Sequence, residues 1–310
     1  MKKGARLGWI LAVAVFLAAA FWQPDRTLQG ASEGLLLWYT KVLPVQFPFV
    51  TGARLWLRLG VQERLGARLE TVMRRVFRLP GCAGAVWAAG LLAGYPSGAF
   101  FAAKLYEEGR MTDSETLTLT LLANTAGPLF VAGTVGTALL HNVRMGWCLL
   151  GIHWISAILT AWLNRPAKTA EAAVNRSRVP QGETELMGTL LGQAAQEAAG
   201  LMVRVGEFIV LFSVIVRLCP LPERNGWEGM AAGLLEITGG IARLSGGTDL
   251  FGLRFAAISF LLGFSGFSVL MQSAAVMPAS LPRGRFLRAK LLQGGISALL
   301  GAAAWPMFFV

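Results

Sequence analysis

The chain has 310 residues, 55% hydrophobic and only 15% charged, with a mean hydropathy of +0.55. A soluble domain carries about 25% charged residues, and the apolar residues here gather into blocks of roughly 18–25 that match a ~30 Å hydrocarbon core. The formal charge of +11 is not a nucleic-acid footprint, because the basic residues stand between apolar blocks, where they orient a chain in a bilayer.

A chain that lives in lipid must satisfy its backbone polar groups internally, and the alternation of barrel strands is missing, so helical spans are expected throughout. Lys2, Lys3 and Arg6 precede the apolar run Leu7–Trp22. No small-residue cleavage site follows, which predicts an uncleaved first helix with its N-terminus in the cytoplasm. The second block, Leu35–Leu57, contains Lys41, Pro44, Gln46 and Pro48 and is expected to be kinked or broken. Residues 61–79 place Leu65, Leu69, Val72, Met73 and Val76 on one stripe, with most arginines elsewhere. That pattern fits a helix on the cytoplasmic surface or a helix in a soluble-facing loop.

Residues 81–104 are apolar but interrupted by Gly94-Tyr95-Pro96-Ser97-Gly98, which ends a helix and predicts a re-entrant hairpin. A span at 116–140, broken by Asn124-Thr125-Ala126-Gly127-Pro128, and a span at 146–163 follow. Residues 164–178 carry Arg165, Lys168, Arg176 and Arg178 with one acidic residue, Glu171, and 179–200 reads as an amphipathic interfacial segment. The second half contains a span at 201–218, a glycine-rich hairpin at 229–252, a span at 255–277 and a last span at 291–309. The loop before that last span carries Arg283, Arg285, Arg288 and Lys290.

The halves echo each other. Gly90-Leu91-Leu92 matches Gly233-Leu234-Leu235, Leu121–Thr125 aligns with Leu261–Ser265, and Ile155–Leu159 aligns with Ile296–Leu300, at offsets of 143, 140 and 141. Three matches in order at nearly one spacing argue for duplication. With the basic stretches in the cytoplasm, the two hairpins enter from opposite sides, an inverted repeat of the kind found in secondary transporters. The predicted fold is an all-α polytopic membrane protein with about seven transmembrane helices and two re-entrant helical hairpins. Its divisions are residues 1–34 (anchor helix and loop), 35–163 (first repeat), 164–200 (basic linker and interfacial helix) and 201–310 (second repeat).

Each hairpin tip is followed by a span broken in its middle, and unwound backbone is tolerated in a bilayer only where protein or a polar cavity satisfies it. The candidate substrate-binding residues are therefore Gly94, Ser97, Gly98, Asn124 and Thr125 in the first half. In the second half they are Glu236, Thr238, Gly239, Arg243 and Ser265. Half-helix N-termini at such tips favour an anionic group; small residues that merely permit close helix packing are the competing reading. Lys41 lies in the broken second block, and Lys104 closes the first hairpin at the interface. Arg204 and Glu207 are spaced to pair, and His153 is expected to be buried and hydrogen-bonded. Cys82, Cys148 and Cys219 form no metal or disulfide pattern. No hydrolase, zinc-protease or nucleotide-loop motif is present, so no enzyme, metal or cofactor is expected.

At several of these positions the chain resembles the YlbJ-type family of sporulation integral membrane proteins, within the wider group of nucleoside-recognition or gate domains. The resemblance covers roughly residues 35–300. It rests on Leu43-Pro44, Phe47-Pro48-Phe49, Phe77–Gly81, Ala93–Gly98, Asn124-Thr125, Gly127–Phe130, Leu235–Gly240 and Gly263–Gly266. It implies a core similar to that of concentrative nucleoside transporters and a role in endospore formation. It also implies passage of dipicolinic acid, a small aromatic dianion, across the outer forespore membrane. The partners then expected are that anion, the lipid bilayer, and a second copy of the chain or a sporulation membrane partner. A non-transporting scaffold in spore assembly and a nucleoside transporter are the alternatives; the second is weakened because only Glu236 and Asn124 offer the side chains such sites use.

Overall fold

A computed structural model of the chain describes residues 3–167, 187–219, 227–246 and 251–308. The basic residues Lys168, Arg176 and Arg178 with the acidic Glu171, the first part of the expected interfacial segment (179–186), the turn at 220–226, and residues 247–250 lie outside the described residues. All regular structure described is helical. In the first half the chain forms α1 (Lys3–Trp22), α2 (Pro24–Leu37), α3 (Leu43–Trp56), α4 (Gln62–Val72), α5 (Cys82–Ala93), α6 (Ser97–Glu107), α7 (Asp113–Ala123) and α8 (Val143–Leu163). The second half forms α9 (Met187–Leu218), α10 (Glu228–Leu235), α11 (Ile237–Ser245), α12 (Phe251–Phe264), α13 (Gly266–Val276) and α14 (Arg283–Ala304). A π turn at Trp38–Val42 carries α2 into α3, and a π-helical segment, Leu129–Leu139, continues the chain beyond α7.

The helix α1 exposes Leu7, Trp9, Ile10, Leu11, Val13, Val15, Leu17, Phe21 and Trp22. A helix apolar all round suits lipid rather than water. Polar residues start the buried helices instead. Thr112 and Glu115 form a reciprocal capping box on α7, and Asn142 accepts the Arg144 and Met145 N–H groups at the start of α8. In the second block the helix passes through π hydrogen bonding at Trp38–Val42, just ahead of Pro44, in right-handed helical backbone, and the sharp bend of 104° lies earlier, between Trp22 and Pro24.

Among the described residues, four helices are long and apolar enough to cross a membrane: Val143–Leu163, Met187–Leu218, Gly252–Val276 and Arg283–Phe308. Two bent pairs, Arg6–Trp22 with Pro24–Val61 and Arg64–Phe77 with Cys82–Ala93, raise the number to six. The count differs from about seven at three places. The expected first and second spans form one bent pair, and the other bent pair takes in the first arm of the expected hairpin at 81–104. The span expected at 116–140 is divided at its break into α7 and the Leu129–Leu139 segment, each of 11 residues and too short to cross alone. The α4 segment turns by 90° from α5, the geometry expected of a surface helix.

One boundary moves. Residues 187–200, read as interfacial, run without interruption into the span at 201–218 as the 32-residue α9. The polar residues that gave it an amphipathic look face α3 and the Leu57–Val61 segment after it: Arg54 and Arg58 both pair with Glu197, and Arg58 also meets Gln193. On another stretch of α9, Val210 and Val214 approach the backbone of α2 at Gly34 and Gly30. Arg204 and Glu207, expected to pair, are both exposed and make no ion pair with each other.

The basic loops gather at one end of the molecule. Arg78 donates to the carbonyls of Pro166 and Ala167, Arg165 to Val76 O, and Arg285 to Asn164 O. Tyr106, at the end of α6, and Asp113, at the start of α7, both hydrogen-bond Ser280 at this end. The first hairpin, α5–α6, therefore opens here. The second, α10–α11, has its base at the opposite end, where Trp227 and Leu244 share a buried cluster with Leu140 and Met145.

A single offset relates the halves more cleanly than the sequence matches do. The tips Tyr95 and Glu236, the breaks Asn124 and Ser265, and the pair Ser156 and Ser297 are all separated by 141 residues. Ser156 and Ser297 are also in contact, Oγ to Oγ at 2.7 Å. Two equivalent residues that touch must lie beside the axis relating their halves. The contacts obey the same relation: α6 meets α13 as α11 meets Leu129–Leu139, and α7 meets α14 as α12 meets α8.

Candidate functional site

The first tip is Gly94-Tyr95-Pro96, with Gly94 at φ 76, ψ 178, a region closed to residues with a Cβ. The Tyr95–Pro96 peptide is cis. On either side of the tip, Gly90 and Gly98 let α5 and α6 clasp the end of α7. A Cβ on either would stand 2.4 or 2.2 Å from Ala123 O. The unwound stretch that follows lies against the tip, with Gly127 N 3.0 Å from a Cβ placed on Gly94.

The second tip is tighter. Glu236 alone separates α10 from α11, and its carboxylate accepts the Thr238 N–H at 2.9 Å and the Gly239 N–H at 2.7 Å. The following break is at Ser265, in left-handed backbone at φ 79, with Gly266 at φ 72. Gly266 approaches Gly233 O and Ile237 N, so this break also rests against its own hairpin.

The two assemblies meet in the interior. Asn124 Oδ1 accepts the Ala99 N–H at 3.4 Å, and its amide donates to Ser273 Oγ on α13 at 2.8 Å, joining one half to the other. Tyr95 shares a buried cluster with Ala126 of the first break and with Ile237, the residue after Glu236. The Ala126 N–H, freed by the break, donates to His153 Nε2 at 2.8 Å. His153 is thus a buried, hydrogen-bonded histidine, as expected.

Several polar atoms in this region have no partner: Gln46 Oε1, Tyr95 OH, Ser97 Oγ, Thr125 Oγ1 and His153 Nδ1. Buried polar groups are nearly always satisfied, and each exception asks for a reason. Gln46 also donates to Tyr95 O at 3.3 Å, at the edge of a cleft of about 20 Å³ lined by Phe49, Ala93, Gly127 and Phe130. That volume is room for one water-sized group.

Gly94, Ser97, Gly98, Asn124 and Thr125 come together around the first tip and break. Glu236, Thr238, Gly239 and Ser265 belong to the second assembly, where Thr238 is half-buried and Gly239 exposed. Two expectations shift. The N–H groups at the start of α11, read as donors for an anion, are occupied by Glu236. Arg243 stands apart, about two turns along α11, with its Cβ against Gly229 at the far end of α10. Of the other cations, Lys41 is exposed and Lys104 pairs with Glu107 at 2.9 Å. No group of three or more His, Cys, Asp or Glu placed to hold a metal occurs among the described residues.

Two buried residues escaped the sequence reading. Lys290, grouped there with the basic loop, is 1% exposed, and its Nζ donates to Gln293 Oε1 at 2.7 Å. Their signal was a helical stripe, Phe286, Lys290, Gln293, Ser297 and Gly301, all on the buried face of α14.

No family model matches the chain, and no solved structure matches it. Among curated proteins, the sporulation integral membrane protein YlbJ of Bacillus subtilis (strain 168) is 29% identical over 348 aligned positions. The match covers 98% of this chain and 85% of that protein.

Proposed function

We propose that this YlbJ-type, multi-pass integral membrane protein carries a small anionic solute, dipicolinic acid, across the outer forespore membrane during sporulation. The kinship to a sporulation membrane protein supplies the setting. The observation that carries the transport reading is the pairing of two helical hairpins, open at opposite ends, with two broken helices and unpartnered polar atoms where they converge. Inverted repeats whose discontinuous helices meet at mid-depth are the usual architecture of a secondary transporter. On this reading α5–α6 and α10–α11 are re-entrant hairpins in a layout like the concentrative nucleoside transporter core. Tyr95, Ser97, Asn124 and Thr125 then supply polar contacts to the passenger.

The 20 Å³ cleft beside Gln46 holds no aromatic acid, so loading requires one hairpin to withdraw from its break. Alternating access follows if the two hairpins withdraw in turn, each toward its own end of the molecule. The test is uptake of labelled dipicolinate by proteoliposomes containing the purified chain. Saturable uptake is expected, reduced by Ser97→Ala and Thr125→Val and unaffected by Arg243→Ala. Uptake no greater than in empty liposomes overturns the reading and leaves a membrane scaffold in its place.

A further inference from the structure

We infer that Lys290, Gln293 and His153 form a buried subsite for a carboxylate between α8 and α14, behind the two helix breaks. Lys290 differs from its neighbours: Arg283, Arg285 and Arg288 are exposed, whereas its own side chain turns inward to Gln293. A snorkelling lysine keeps its amine in water, and this one does not. It makes no ion pair with a carboxylate among the described residues.

The surrounding groups share a chemical bias. Gln293 is fully buried; its oxygen is taken by Lys290, and its Nε2 has no partner. His153 is fully buried on α8, three residues before Ser156, whose Oγ meets Ser297 Oγ of α14 at 2.7 Å. Because its Nε2 accepts the Ala126 N–H, the ring is neutral with its proton on Nδ1, and that N–H has no partner either. Two lysine N–H bonds, one amide N–H₂ and one imidazole N–H thus have no acceptor. Leaving such donors unmet in a low-dielectric interior is unfavourable, most of all for a charged amine. An acceptor-rich anion is the partner this set lacks. A carboxylate, with two oxygens and a negative charge, is the acceptor that suits an amine and neutral N–H donors of this kind.

The subsite is coupled to the breaks by direct contacts. His153 holds Ala126 of the first break, and Gln293 O and Ser297 Oγ press on Gly263, two residues before the second. The proposal rests on the transport reading only for the passenger's name, and its test is a binding measurement that needs no transport. Thermal unfolding of the purified full-length chain in detergent is followed with added dipicolinate or its uncharged analogue pyridine-2,6-dicarboxamide. A ligand that binds only the folded state raises the midpoint. Dipicolinate is expected to stabilise the wild type and the diamide is not. Lys290→Met is expected to unfold close to wild type without ligand, because removing a buried amine that has no counter-charge offsets the loss of its bond to Gln293 Oε1, and to lose the dipicolinate shift. Gln293→Leu, which carries the decision if Lys290→Met does not fold, is expected to weaken dipicolinate roughly 10-fold or more. Retention of the full shift in these variants overturns the subsite, as does equal stabilisation by dipicolinate and diamide or no stabilisation by dipicolinate. Dipicolinate uptake that persists in Lys290→Met sinks the subsite alone, whereas no uptake by the wild type sinks the carrier alone.

Discussion

Asn124 spends its amide on both halves of the molecule. Its oxygen serves the backbone of α6, and its nitrogen serves Ser273 on α13. Replacing it with Ala leaves the Ala99 N–H unsatisfied in a buried setting, which costs about 1–3 kcal/mol. Asn124→Ala is therefore expected to lower the unfolding midpoint in detergent more than Ser273→Ala does. The hydroxyl of Ser273 keeps a bond to Val269 O in the wild type, and its removal strands only the Asn124 donor. Equal stability of Asn124→Ala and wild type contradicts the bridge. Asn124 was legible in sequence because an amide amid an apolar block has few structural excuses. Lys290 was not, because linear neighbours arginine-rich on one side imply a loop, and only the turn of the helix shows which face a residue takes. Glu236 was legible as a residue, and its carboxylate also caps α11, a role the spacing alone did not show.

At the scale of elements, the hairpins were foreseen from glycine and proline, and the reason lies in backbone proximity. On Gly98 a Cβ would lie 2.2 Å from Ala123 O, and on Gly240 it would lie 2.1 Å from Gly233 Cα. Both obstacles are backbone atoms, which cannot rotate aside. Gly98→Ala and Gly240→Ala are each expected to cost about 1–3 kcal/mol or more through overpacking. Gly295→Ala, in the interior of α14 with open space around it, is expected to be neutral or to gain up to about 1 kcal/mol of helix propensity. Midpoints of thermal unfolding for the three variants check the contrast, and similar values for Gly98→Ala and Gly295→Ala contradict the close approach. The join within α9 was illegible for a related reason. Gln193 and Glu197 are polar, which reads as a water-facing stripe, yet their partners Arg54 and Arg58 stand over 130 residues away in sequence. Composition in one window carries no information about a partner so distant.

For the whole molecule the decisive fact is one offset of 141 residues shared by tips, breaks and the touching serines. Sequence matches in apolar blocks drift by a residue or two, because leucine and alanine align with many neighbours. Backbone breaks do not drift, since each needs its own unwound residues. If the halves are inverted in the membrane, the base of the first hairpin and the loop before α8 face opposite compartments. Gly109, in left-handed backbone just after α6, has nothing within 4 Å of an added Cβ, and Arg144 is exposed at the start of α8. With Cys82, Cys148 and Cys219 replaced by Ala, Gly109→Cys and Arg144→Cys each report one side to a membrane-impermeant maleimide. The arginine-rich end is retained in the cytoplasm, so Gly109→Cys is expected to react only in inside-out vesicles. Arg144→Cys is expected to react only in right-side-out vesicles, because the Leu129–Leu139 segment carries the chain to the other end. Labelling of both from one side would leave the two hairpins on the same face of the membrane. The 141-residue relation would then describe a packing symmetry with no permeation path between its halves.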